Sequence, residues 1–216
     1  MNPKERIAKR VAKEFKPGNI VNLGIGLPTL VANYVPKEMN IFFHGENGVL
    51  GIGSEISEEY ANLNLTNAGG KFINTLPGAM TFDTAFSFAL IRGGHLDYTV
   101  LGGLQVDEEG HLANWMVPGK LIPGMGGAMD LVTGAKKVII AMTHTAKGKP
   151  KIVKKCNLPL TSSRRVDLIV TEYAVIEPTD EGLVLKEIAP DIKIDELKAI
   201  TEAELIIPED LKIMEI

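Results

Sequence analysis

Two short runs constrain this chain more than anything else in it: KVIIAM at 137–142 and DLIVT at 167–171 are nearly unbroken Val, Ile, Leu and Ala. A strand with one wet face alternates polar and apolar residues. A strand apolar on both sides is covered on both sides, which is the condition of a parallel sheet sandwiched between helices. The flanking sequence reads the same way. NIVNLGIG (19–26) predicts a buried strand running into a glycine turn, with further strands at Ile41–His44 and Tyr98–Leu101. Thr75–Leu76 and the Phe82–Ile91 segment flank LPGAM. Ile7, Val11 and Phe15 fall at i, i+4 and i+8, which predicts an amphipathic helix over 3–15, stopped by Pro17-Gly18. Pro28 suits the first position of a second helix through residue 35. A third helix is expected near Gly127, carrying Met129–Leu131, and a last one in DELKAITEAEL. Strands alternating with helices, without repeat, low-complexity tract or linker, predict a single α/β domain over 1–216 built on an open sheet.

The composition fits a packed globular core, at 45% hydrophobic and 23% charged residues. A formal net charge of −4 argues against nucleic acid as a partner, which calls for a basic face. One cysteine, Cys156, forbids an internal disulfide and suits a reducing compartment. His44, His95, His111 and His144 show no metal-ligand spacing, so no metal site is expected. The N-terminal MNPKERIAKRVAKEF lacks the apolar segment of a secretory signal, and no stretch approaches 18 uninterrupted apolar residues. A cytoplasmic protein without a membrane span is the expectation. The lysine-rich KGKPKIVKK (147–155) is either a solvated loop or a phosphate-facing patch.

Glycine clusters at strand ends are where ligands sit in open α/β sheets, and three of them stand out. In GENGVLGIG (45–53) five of nine residues are Gly or Asn, and Glu46 is held among them just after a buried strand. A carboxylate so placed is a general base, a covalent nucleophile or a turn residue. In NLGIGLP, Gly24 and Gly26 follow a strand but Thr29 stands where the third glycine of a dinucleotide fingerprint belongs. What is left is a tight turn offering backbone amides, with Asn22 just before it as an amide donor or a structural cap. In PGMGGAMD (123–130), Gly124, Gly126 and Gly127 precede the expected helix, as a packing turn or an oxyanion site. All three loops offer N–H donors and little acid–base machinery apart from Glu46. That combination suits acyl transfer through a tetrahedral intermediate better than hydride transfer or metal-assisted hydrolysis.

ENGVLGIG, NAGGK, LPGAMTFDTAFSFALIRGGH, LGGLQVD, LANWMVPGK, GMGGAMDL and GLVLKEIAP together resemble the β subunit of family I CoA-transferases, from about residue 4 to about residue 205. That family includes succinyl-CoA:3-oxoacid and butyrate–acetoacetate CoA-transferases. The resemblance implies that Glu46 attacks an acyl-CoA and carries CoA as a glutamyl thioester in a ping-pong cycle. It implies that Asn22 and Gly127 line the thioester pocket, and that Gly24, Gly26, Asn47, Gly124 and Gly126 belong to loops that receive CoA. It also implies no tightly bound cofactor, coenzyme A as substrate and covalent intermediate, and an α subunit as partner in an α2β2 assembly. Short-chain or 3-oxo carboxylic acids would be the acceptors. Two departures stand out: Gly45 occupies a position where many members have Ser, and Gly70 stands where some relatives have a CoA-facing lysine. Lys71 comes one residue later, so that role is not carried over to it. The remaining alternatives are a phosphate-ligand isomerase or hydrolase of similar fold, with Glu46 as general base, and a non-catalytic partner chain.

Overall fold

The computed structural model describes residues 1–119 and 124–216; Lys120 of LANWMVPGK and Pro123 of PGMGGAMD lie outside the described residues. Five strands form the parallel centre of an eleven-stranded sheet: β1 (Ile20–Leu23), β2 (Phe42–Gly45), β5 (Tyr98–Leu101), β8 (Lys137–Ala141) and β12 (Leu168–Val170). Their spatial order is β2-β1-β5-β8-β12, so the chain winds outward from β1 to β2 and then returns across it to β5. The reversal point lies between β1 and β5, and a crevice at the carboxyl ends of these strands is the ligand position such a sheet creates.

Antiparallel strands extend the sheet at both sides. Next to β2 come β3 (Val49–Glu55) and β4 (Ile73–Thr81); next to β12 come β13 (Ala174–Pro178) and β14 (Leu183–Ile188). β15 (Leu205–Ile206) and β16 (Lys212–Ile213) both pair with β14. A small sheet of β6 (Gln105–Asp107), β7 (Leu112–Ala113) and β11 (Ile152–Val153) sits apart from it, as does the hairpin of β9 (Thr145–Ala146) and β10 (Lys149–Pro150).

Burial on both faces of the central strands is what the Val/Ile runs predict. Val138, Ile140 and Ile169 pack on one side with Ile91, Leu131 and Val132, which belong to helices α2 (Thr84–Arg92) and α3 (Ala128–Gly134). Val21, Val100, Ile139 and Val170 pack on the other with Ile7, Val11 and Val31. Ile7 and Val11 come from α1 (Pro3–Ala12), capped by the Asn2 side chain, and Val31 from a 3-10 helix over Leu27–Tyr34.

Several boundaries differ from the sequence expectation. Residues 49–53 are not part of a loop. Only 46–48 turn, and β3 begins at Val49 because its backbone pairs with both β2 and β4. The segment after Pro28 winds as a 3-10 helix. The C-terminal helix, α4 (Ile194–Ala199), stops early, and Leu205–Ile206 joins the sheet instead.

Candidate active site

Glu46 sits at the tip of the β2–β3 hairpin. The Gly48 N–H donates to the Gly45 carbonyl at 2.9 Å, which makes Glu46 and Asn47 the two central residues of a tight turn. Gly48 closes it with φ +109°, a backbone conformation open to glycine. A Cβ at Gly48 would stand 2.0 Å from the Phe82 carbonyl oxygen, and the Phe82 N–H donates to the Gly48 carbonyl at 2.9 Å. The segment leading into α2 is thus pressed flat against the turn.

The carboxylate is half-buried and meets the loop before α3. The Gly127 N–H donates to Glu46 Oε1 at 3.4 Å. A Cβ at Gly127 would lie 3.1 Å from Glu46 Cδ and Oε2, so only a glycine lets the carboxylate lie flat on this backbone. Burial pushes the Glu46 carboxyl above the usual carboxylate range, and the Gly127 N–H opposes this in part. A half-buried carboxylate that holds one long hydrogen bond is poorly stabilised as an anion.

Other expected site residues fall into two groups. Gly126 lies beside Glu46 Oε1, within 3.6 Å of a would-be Cβ, and Gly124 is exposed two residues earlier. Gly24 donates its N–H to the Val100 carbonyl at 2.8 Å, which packs the turn after β1 against the end of β5 at the reversal point; Gly26 is exposed just beyond. Asn47 is exposed, and its amide donates to the Thr66 carbonyl at 2.7 Å. Asn22 is 1% exposed and its amide is committed inside the protein: Nδ2 donates to the His44 carbonyl at 3.1 Å, and Oδ1 accepts from Thr99 Oγ1 at 3.1 Å.

Asn22 belongs to a row that the glycine motifs do not reveal. Asn22 is in register with His44 on β2 and Thr99 on β5, so the three side chains lie side by side across the sheet. His44 Nε2 then meets Ser87 Oγ of α2 at 3.0 Å. The signal for it in the sequence is a polar residue closing each of two otherwise apolar strands, IVN and IFFH, immediately before the glycine loops. Burial lowers the His44 pKa to about 4, so the ring is neutral.

A cleft of about 330 Å³ opens next to the hairpin, lined by Leu23, Phe43, Gly45, Ile52, Asn67 and Lys71 among others. Leu23 and Phe43 pack toward α1 and its neighbours, whereas Glu46 follows His44 by two residues and faces α2 and α3. His44 and Gly45 line the cleft as well, whereas Glu46 is not among its lining residues and meets Gly127 instead. Lys71 pairs with Glu55 at 2.8 Å on the cleft's rim. The lone thiol is no competitor to Glu46, since burial and Asp107 push Cys156 up to about 12. In the lysine-rich stretch, Lys147, Lys149, Lys154 and Lys155 are exposed, while burial lowers Lys151 to about 8. No three His, Cys, Asp or Glu side chains among the described residues are placed to hold a metal ion, and no helix among them is long and apolar enough to cross a membrane.

Residues 4–199 match the Coenzyme A transferase family. The chain belongs to that family. It is 59% identical over 217 residues to the beta chain of the acetate CoA-transferase of Haemophilus influenzae, covering 100% of this chain and 97% of that one. It is 53% identical over 202 residues to the corresponding chain of the succinyl-CoA:3-ketoacid coenzyme A transferase of Helicobacter pylori, covering 93% of this chain and 97% of that one. The fold matches the crystal structure of an acyl-CoA transferase apoenzyme from Escherichia coli O157:H7 with a TM-score of 0.80 at 24% identity. That match takes in 99% of this chain and 43% of the solved one. A CoA-transferase chain with a mixed α/β domain is therefore the frame in which Glu46 stands.

Proposed function

We propose that this chain is the β subunit of a transferase that moves CoA between an acyl-CoA and a short-chain or 3-oxo carboxylic acid, with Glu46 as the covalent carrier. The observation that carries this reading is the placement of Glu46: a half-buried carboxylate on a tight turn, its carbon held against the Gly127 backbone, with one N–H on its oxygen. A Glu46 oxygen attacks the acyl-CoA carbonyl, forming a mixed anhydride and releasing CoA thiolate. The thiolate attacks the glutamyl carbonyl, breaking the anhydride, releasing the donor acid and leaving a glutamyl-CoA thioester. The acceptor acid then runs these steps in reverse. The N–H that now touches Oε1 would face the glutamyl carbonyl oxygen as charge builds on it, an arrangement worth about 10²–10³ in rate per donor. No metal or redox group enters the cycle, since thioester energy passes from one acid to the other.

Substrate choice follows the relatives: one is named for acetate, another for succinyl-CoA and 3-ketoacids. The names of those relatives, each given as a subunit, support an α-type partner; the α2β2 complex and its place in the cytoplasm are part of the proposal. Water reaching the anhydride would waste it, so the partner's place is over Glu46. The surface there is suited to being covered: Phe86 on α2 and Met129 on α3 are each 50% exposed beside the site. In the complex, incubation with acyl-CoA followed by borohydride or hydroxylamine should modify Glu46 and no other residue. Glu46→Ala and the isosteric Glu46→Gln should form no adduct and lose at least about 10³ in turnover. Full activity in Glu46→Ala, or an adduct elsewhere, would overturn the assignment.

A further inference from the structure

The buried row beneath Glu46 is unusual for its place. Thr99, Asn22, His44 and Ser87 lie in the middle of the molecule, each no more than 2% exposed. Four polar side chains in a core cost stability unless every one is bonded, and an apolar set of similar volume would pack there without that requirement.

Here the bonds are made, and their directions are fixed. The Asn22 amide nitrogen can only donate; it donates to the His44 carbonyl and faces His44 Nδ1 at 3.4 Å. Nδ1 is therefore the bare nitrogen, Nε2 carries the proton, and it donates to Ser87 Oγ at 3.0 Å. Thr99 Oγ1 donates to Asn22 Oδ1 at the other end. All the hydrogens point one way, from β5 to α2, an arrangement in which each bond polarises the next.

This row ties together the two elements that grip the turn of Glu46. On one side, His44 is the penultimate residue of β2, two residues before Glu46 at the start of the turn. On the other, Ser87 belongs to α2, whose N-terminus is capped by Asp83 Oδ1 accepting from the Phe86 N–H at 2.8 Å. Phe82, just before that cap, is the residue pressed against Gly48. His44–Ser87 is thus a direct side-chain link between strand and helix below the turn, and Phe82–Gly48 is the backbone link at its level. The His44 ring also stacks on Phe82, with centroids 6.3 Å apart.

Resting on the reading of Glu46 as the covalent carrier, we propose that His44 and Ser87 are positioning residues, whose bond holds the hairpin tip in the place where the Glu46 carboxylate lies on Gly127 and meets the acyl carbonyl. Neither touches substrate; they act through the turn. A displacement of the order of 1 Å at a nucleophile is enough to cost about 10² in rate.

The test separates positioning from folding. In the complex, a single turnover with acyl-CoA gives a burst whose amplitude counts competent sites and whose rate reads attack by Glu46. Ser87→Ala removes one oxygen and should lower the burst rate by about 10–100-fold, leaving amplitude and KM within twofold. His44→Asn, which keeps an amide but is too short to reach Ser87, should do the same, and adding Ser87→Ala to it should lower the rate no further. Reduced amplitude at an unchanged rate would mean that the row serves folding alone, and overturns the proposal. So would burst rates within twofold of the parent in both variants. A parent complex that gives no burst would instead remove the reading of Glu46 itself, which is a different failure.

Discussion

At the scale of single residues, Gly127 gives the site its sharpest test. Its backbone, at φ −82° and ψ 3°, is open to any residue, so alanine is no strain on the main chain. What alanine adds is a methyl group 3.1 Å from the Glu46 carboxyl carbon. The carboxylate must shift by a few tenths of an ångström, which lengthens the already long bond from the Gly127 N–H. Gly127→Ala is expected to lower kcat about 10²–10³-fold while changing stability by less than about 1 kcal/mol. Turnover and urea unfolding of the same preparation decide it, and a fully active variant would show that the carboxylate works away from this backbone. Glu46 and Gly127 can both be singled out in the sequence, as a carboxylate in a Gly/Asn turn and a glycine before a helix. Asn22 shows where such reading stops. Its residue type announces a donor, but whether that donor faces a ligand or a neighbour depends on strand register, and here the register sets it between His44 and Thr99.

At the scale of elements, the β2–β3 hairpin depends on Gly48. A side chain there meets two obstacles at once, φ +109° and a Phe82 oxygen 2.0 Å from its Cβ. Backbone atoms on both sides cannot rotate aside as a side chain would. Gly48→Ala should cost about 3–5 kcal/mol in urea unfolding, and a loss under about 1 kcal/mol would show that turn and helix α2 can part freely. The same hairpin shows why some elements are legible in the sequence and others are not. The Val/Ile runs of β8 and β12 and the 3.6-residue pattern of α1 are local signals, and the elements lie where those signals put them, except that α1 ends at Ala12, short of the expected residue 15. β3 reads as a glycine loop because its strand character comes from pairing with β2 and β4 rather than from its residues. β4 carries Pro77 and Gly78 and is exposed along most of its length, so neither propensity nor alternation marks it. Just past the end of α4, the Thr201 hydroxyl donates to the Leu197 carbonyl at 2.7 Å and lies 2.8 Å from Nε2 of buried His144, a tertiary contact that no local pattern marks.

For the whole molecule, those two buried histidines set an acid limit. His44 lies near the end of β2 on one side of the sheet, and His144 follows β8 nearer the other, bonded to Thr171 at 3.0 Å and Thr201 at 2.8 Å. Burial lowers both to about 4, helped for His144 by the charge of Lys151. In the unfolded chain each titrates near 6.5, so between about 6.5 and 4 the unfolded state binds protons that the native state refuses. Stability from this source is complete above about pH 6.5 and is lost as pH falls toward 4, at up to about 1.4 kcal/mol per pH unit for each ring. Glu46 works in the opposite sense, because its raised carboxyl takes up a proton in the native state before the unfolded one does. One carboxyl with the opposite sign offsets part of the effect of two imidazoles. The fall should therefore begin well above the range in which ordinary carboxylates titrate. Urea midpoints measured from pH 7.5 to 4.5 should drop steadily below about pH 6.5, and Glu46→Gln should steepen that drop by removing the group that opposes it. A flat profile down to pH 5 would mean that the two rings are protonated within the fold.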